Sequence, residues 1–427
     1  MNDAGAMLMT SGEKDAQPKF CDRVAELLLG GTRATVGFFL ANWRWGFAAI
    51  ALLASLVFTG YMIAAGKMFY DAPIYWAGLD AYLKTGTPYD WAYLYDHYHV
   101  RGPFTYPPVV VVALAPVYGI LTHPLGLAVL AIIHFAAFFV TPYLLAPRIF
   151  RLSNPDWAWM TGLYLFAFGL GNLKQVISGN LQQIIMAACL VALFYAVRRR
   201  NYAGVWATIL IVAQIKIYML VLLAVPFLMD RKIAAPVAIG VLSMAGFLAN
   251  WWIAPDLMPG FLKTFSVISG ENTALGFSVM AGAETALRAM RFHPAELIQP
   301  IGLAVNITFA VLAMAFATAV MWTKARPKEE GLAYLWALTC AFLVSPRMIE
   351  SDIAILVVPF VLFLRQLVAS RGIGLWIAVG SFIIGTCLTR TPMADWSGFV
   401  ALFGVWLAMG IEWLGFGDAK AARLSAV

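Results

Sequence analysis

The sequence predicts an all-α polytopic membrane protein, with about twelve transmembrane helices and a large first extracytoplasmic loop. Three observations predict it. Of 427 residues, 62% are hydrophobic and 12% charged, with a mean hydropathy of +0.80; a soluble domain carries roughly twice that charged share. The apolar residues form continuous runs, not the alternation of a membrane β-barrel. The cations gather between runs, at Arg198 to Arg200, at Arg231 and Lys232, and from Lys324 to Lys328, as orientation by the positive-inside effect requires. The net charge of +7 is read the same way, and nucleic acid is not expected as a partner.

Residues 1–43 are mixed and charged, lack the order of a signal peptide, and read as a cytosolic tail, with 20–43 suited to an interfacial amphipathic helix. Apolar runs follow near 45–65, 106–121, 125–147, 157–171, 181–197, 203–229, 233–253, 298–322, 331–346, 353–369, 372–389 and 396–414. They make one transmembrane domain, 44–414, followed by a second cytosolic tail, 415–427. With the N-terminus inside and every run crossing once, Arg231, Lys232, Lys324 to Lys328, Arg365, Arg371, Lys420 and Arg423 fall inside. Segments 66–105, 254–297, 347–352 and 390–395 fall outside. Arg198 to Arg200 then lie on the wrong face. A hairpin at 203–229 turning at Lys216, with one earlier run re-entrant, removes that conflict. The expected location is the inner (plasma) membrane, multi-pass.

The four cysteines and five histidines form no metal-ligand spacing, and no P-loop, Gly-x-Gly-x-x-Gly or His-Glu-x-x-His is present. An ATP-driven pump is unsupported, no cofactor is expected and no metal site is assigned; a divalent metal shared by Asp71 and Asp80 would need the helix to break between them.

The polar material concentrates in the first outer loop. Asp71 lies about one helical turn beyond the membrane exit, where a carboxylate costs free energy. Asp71 and Tyr75 share a helix face, and Asp80 falls half a turn out of phase, so the two acids do not converge. One acts alone, with Asp80 in reserve, or Asp71 merely caps a helix that starts before Pro73. The run Phe104 to Pro108 (FTYPP) reads as extended backbone opening the next helix. Lys216 sits inside an apolar run, where a lysine costs roughly 2.5–3.5 kcal/mol, and is a candidate cation for a phosphate or a partner for a carboxylate. Arg347 follows Ser345 and Pro346 and either meets phosphate or pairs with Glu350. Asn180, after Gly179, caps a helix or meets substrate at its N-terminus. Glu271 and Asn272 form a polar knot in the second outer loop.

Taken in order, these pieces resemble membrane glycosyltransferase family 87, the mannosyltransferase-like enzymes of the GT-C fold. The resemblance rests on Asp71, LKTGTPYD (Leu83 to Asp90), FTYPP with Pro116 beyond it, SGNLQQ (Ser178 to Gln183), the mid-run Lys216, and LVSPRMIESD (Leu343 to Asp352). The chain departs from it at Gly179-Asn180-Leu181-Gln182, where the family often has Gly-Gln-x-Asn. The resemblance implies a polyprenyl-phosphate sugar donor, most often mannose, a lipid or glycan acceptor on the extracytoplasmic face, and inversion at the anomeric carbon. On that reading Asp71 is the general base. Lys216 and Arg347 meet the donor phosphate. Tyr75, Trp76, Tyr106, Asn180, Gln183, Glu271, Asn272 and Asp352 contact substrate. A secondary transporter or flippase for a lipid-linked sugar is the alternative. The acid at the membrane exit favours the enzyme, because transporters place key groups near mid-membrane.

Overall fold

In the computed structural model the described residues are 71–100, 102–121, 123–139, 178–199, 201–231, 233–272, 278–323, 330–347, 356–388 and 396–414, with scattered helical positions between 42 and 64. The expected span 157–171, both tails and Asp352 lie outside them. The described residues are helical and contain no strand. In order the helices are α1 (Ala72–Thr85), α2 (Trp91–Tyr98), α3 (Pro108–Ile120), α4 (His123–Phe139), α5 (Gln182–Arg199), α6 (Ala203–Ile215), α7 (Ala224–Asp230), α8 (Ala234–Leu248), α9 (Asn250–Ile253), α10 (Met258–Asn272), α11 (Val279–Ala289), α12 (Ile298–Trp322), α13 (Glu330–Leu343), α14 (Val357–Ser370), α15 (Ile373–Leu388) and α16 (Ser397–Trp413).

Among the described residues three stretches are long and apolar enough to cross a membrane: Gln182–Arg199, Ala234–Ile253 and Ala295–Trp322. Pro108–Ile120 and Leu125–Ala137 meet at 116° and make a fourth if they are one broken span. The expected crossings at 106–121 and 125–147 meet at this bend, and residues 140–147 of the second lie outside the described residues. α8 exposes Val237, Val241, Leu242 and Leu248, and α15 exposes Ile373, Trp376 and Ile383. Apolar surface of this extent suits a lipid solvent.

Two cores hold the bundle together. The larger gathers α5 to α7 and α12 to α16 around Trp336 and Trp406, whose rings stack at 4.8 Å while Trp336 Nε1 donates to the Trp406 carbonyl at 2.9 Å. The smaller packs α1 to α4 with α9 and α10 around Phe104, Leu94 and Met258. Gly78 admits the Phe104 ring, which would lie 2.1 Å from any Cβ at that position. Ile215 packs against both cores. The next residue, Lys216, therefore stands at their seam.

The sequence accounts for the local breaks at that seam. Pro108 opens α3, where a missing N–H is harmless, and Pro107 is extended. α6 ends at Ile215, Lys216 is extended at φ −140°, and Ile217–Leu223 continues as 3₁₀-helix before α7. The anticipated break within 203–229 thus falls at Lys216. It frees that side chain from a regular helix face.

Candidate functional site

The site forms where the loop before α5 meets the start of α1. The Asp71 N–H donates to the Ser178 carbonyl at 2.8 Å, and Gly179 takes a left-handed conformation, φ +69°, which glycine adopts without strain. That turn presents Asn180. Its Nδ2 donates to Asp71 Oδ2 at 3.1 Å, and its Oδ1 accepts from Lys216 Nζ at 3.3 Å and from the Gln182 N–H at 3.0 Å. One carboxamide thus caps α5 and joins the acid to the lysine. His134 Nε2 stands 2.6 Å from the Asn180 carbonyl oxygen and holds the turn from the α4 side.

Asp71 occupies the N-cap position of α1 but makes no side-chain cap bond. Its carboxylate faces Asn180 instead, so the capping alternative does not describe it. Burial pushes its carboxyl above the ordinary value of 3.8; the Asn180 hydrogen bond, then the Lys216 charge, pull it down without cancelling the rise. A carboxylate in that condition is a stronger base than a solvated one.

Tyr75 stands beside it. Its hydroxyl oxygen accepts from the Leu181 N–H at 3.2 Å and from the Tyr106 hydroxyl at 3.1 Å, and the two rings meet edge-to-face at 5.2 Å. Desolvation first, then the neighbouring Tyr106 and Asp71, raise the Tyr75 phenol well above its ordinary range, so it stays neutral. Tyr89 ties the wall down by donating to the Tyr106 carbonyl at 2.7 Å. Tyr218 donates to Gln182 Oε1 at 3.1 Å, and Lys216 Nζ lies 5.9 Å from the Tyr218 ring centroid.

Asp71, Tyr75, Tyr106, Asn180 and Lys216 are thus brought together, and Gln183 is buried in the first turn of α5. Other expected residues stand apart. Trp76 packs against Tyr118 at 5.6 Å and over Gly126. Asp80 accepts from Lys84 at 2.7 Å and from Tyr98 at 2.5 Å. Partial burial alone would raise its carboxyl, but the bonds from Lys84, Tyr98 and Tyr118 hold it below the ordinary value. An acid so engaged is a poor proton acceptor. Arg347 lies past the end of α13, with no hydrogen bond to the Asp71 group among the described residues. Glu271 and Asn272 close α10, and their side chains, with Asp352, lie outside what the structure describes.

Gln182, Tyr89, His134 and Tyr218 were not singled out in the sequence, although Gln182 stands within SGNLQQ. No group of three or more His, Cys, Asp or Glu side chains suited to a metal occurs among the described residues.

The described residues form a helical, lipid-suited bundle in which a buried carboxylate and a lysine meet through one carboxamide. Residues 104–346, more than half of the chain, match glycosyltransferase family 87, and the chain belongs to that family. It is a membrane glycosyltransferase. The match takes in Tyr106, Asn180, Gln183 and Lys216; Asp71 precedes it. Curated proteins and solved structures give no match to the chain.

Proposed function

We propose that the protein transfers a sugar, mannose before others, from a polyprenyl-phosphate donor to a hydroxyl of a lipid or glycan acceptor on the extracytoplasmic face, with inversion. The observation that carries this reading is the Asp71–Asn180–Lys216 chain at the seam of the two cores. The acceptor oxygen attacks the anomeric carbon while its proton passes to the Asp71 carboxylate. The bond from that carbon to the phosphate oxygen breaks, and the electron pair leaves with the polyprenyl phosphate. Lys216 holds the charge that gathers there. The leaving phosphate is already an anion, so no general acid is required. Asn180 keeps base and cation at a fixed spacing, and Tyr75 with Tyr106 walls the sugar side. The pairing also supports a bond-breaking reaction over a flippase, which needs no raised carboxylate beside its phosphate contact.

The test is stereochemical. Purified protein is given polyprenyl-phosphate mannose and a membrane-lipid extract, and the anomeric configuration of the product is read by NMR. Product of inverted configuration supports the reading. Retained configuration, or donor crossing the bilayer intact with no product, contradicts it.

A further inference from the structure

Buried charged atoms without a hydrogen bond, among the described residues, are concentrated at one junction away from Asp71. Glu284 on α11 is 0% exposed, and neither carboxylate oxygen has a hydrogen-bond partner among the described residues. Arg288, one turn on and largely exposed, approaches only to 3.7 Å. Glu284 lies over α12 where residue 302 is glycine: a Cβ there would stand 2.8 Å from Glu284 Cγ and 3.4 Å from Oε1. One turn further along α12, the buried Asn306 donates through Nδ2 to the Val344 carbonyl at 3.4 Å, and its Oδ1 has no partner. Three residues past Val344 is Arg347, half-buried, whose Nε is also buried and unpartnered. The remaining side-chain atoms in that condition among the described residues are three tryptophan N–H groups and one serine hydroxyl. Every charged group so left is therefore at the meeting of α11, α12 and the end of α13.

An unmet buried polar group costs about 1–3 kcal/mol, more when charged, and such groups in a native fold call for an explanation. The chemistry of the set narrows it. Three unmet oxygen acceptors and one unmet guanidinium N–H lie along this junction. An anion is disfavoured by Glu284. A hard cation would want six or more oxygens, and Glu284 belongs to no group of three or more His, Cys, Asp or Glu side chains among the described residues. Adjacent hydroxyls of a sugar fit: two donate to the carboxylate, and a ring or hydroxyl oxygen accepts from the guanidinium. Neither Glu284 oxygen has a hydrogen bond to lose when the side chain turns to a ligand.

We propose that Glu284, Asn306 and Arg347 form a subsite for vicinal hydroxyls of the glycosyl acceptor. This rests on the transferase reading above, and it gives Arg347 to the acceptor sugar, not to the donor phosphate.

The experiment uses the purified full chain in detergent, with methyl glycosides of mannose, glucose and arabinose as probes, read by saturation-transfer NMR and calorimetry. The variant is Glu284→Gln, which keeps the shape and removes the charge; its melting temperature is recorded alongside. At least one glycoside should bind the wild type and bind the variant about tenfold or more weakly, the loss expected for a bond to a charged group. In the transfer assay the acceptor KM should rise by a similar factor with donor Kd retained. Glycoside binding that depends on Glu284 stands as support even if the wild type transfers nothing, a result that would count against the donor and base assignments alone. No glycoside binding at all, or equal binding and equal acceptor KM in the variant, overturns the subsite. So does a lowered melting temperature with binding unchanged, which marks a structural carboxylate, or sugar binding that requires added calcium.

Discussion

Replacing Lys216 by methionine separates donor binding from chemistry. The side chain keeps its length and loses its charge. Lys216 Nζ stands 3.3 Å from Asn180 Oδ1, and that oxygen still accepts from the Gln182 N–H when the lysine is gone, so the turn at Asn180 stays capped. The variant loses the Lys216 bond to Asn180, so its melting temperature is recorded alongside. What is lost is the cation for the phosphate. A hydrogen bond to a charged group contributes about 1.5–3 kcal/mol, and each 1.4 kcal/mol is tenfold in Kd, so donor affinity should fall roughly 10- to 150-fold. Binding of polyprenyl-phosphate mannose to the purified variant measures this directly, and turnover at saturating donor gives the comparison. The account expects the loss in affinity to exceed the loss in saturated turnover. Unchanged donor affinity in a well-folded variant would refute the phosphate role.

Three further outcomes follow from the same geometry. Burial raises the Asp71 carboxyl above 3.8; a base works only when deprotonated, so kcat/KM should fall as the pH drops through a value above 3.8, and Asn180→Ala, which removes a bond that favours the charged form, should move that acid limb to higher pH. An acid limb that stays or moves down in the variant contradicts the assignment of the limb to Asp71. Tyr75→Phe removes the acceptor shared by the Leu181 N–H and the Tyr106 hydroxyl, leaving buried donors unmet at about 1–3 kcal/mol; a lowered melting temperature in detergent is expected, and an unchanged one counts against the bond pair. Gly78→Ala places a Cβ 2.1 Å from the buried Phe104 ring, and overpacking of that kind costs about 1–3 kcal/mol, read as reduced yield and thermal stability; a variant as stable as wild type would show that the ring has room to move.

The polar signals that survive in an apolar chain were legible, and the faces of its helices were not. Asp71 and Lys216 announce themselves because each is expensive where it stands, and the structure joins them through Asn180. Pro107, Pro108 and Gly179 fixed their own backbone and could be read locally. The hub role of Asn180 could not, because its carboxylate partner is 109 positions away in the chain and no periodicity connects them. Tyr75 and Trp76 are adjacent aromatics, yet one faces the acid and the other packs on Gly126. Both are large rings one position apart on a short helix, so hydrophobicity does not say which one meets the acid. Glu284 was hidden for another reason: its neighbours Thr285 and Arg288 suggest a wet helix face, whereas the carboxylate itself is buried against Gly302.

The central claim is that Asp71 takes the acceptor proton. Wild-type protein and Asp71→Asn, each in proteoliposomes, are supplied with radiolabelled polyprenyl-phosphate mannose and a membrane-lipid extract. The asparagine can still accept from Asn180, and the main-chain bond to Ser178 is untouched, so expression and donor binding should match wild type. Loss of a general base slows turnover about 10²- to 10⁴-fold, or about 3–5.5 kcal/mol in the barrier. The account predicts label in a new glycolipid with the wild type, and a fall of that size with the variant. Near-normal turnover by Asp71→Asn would contradict it.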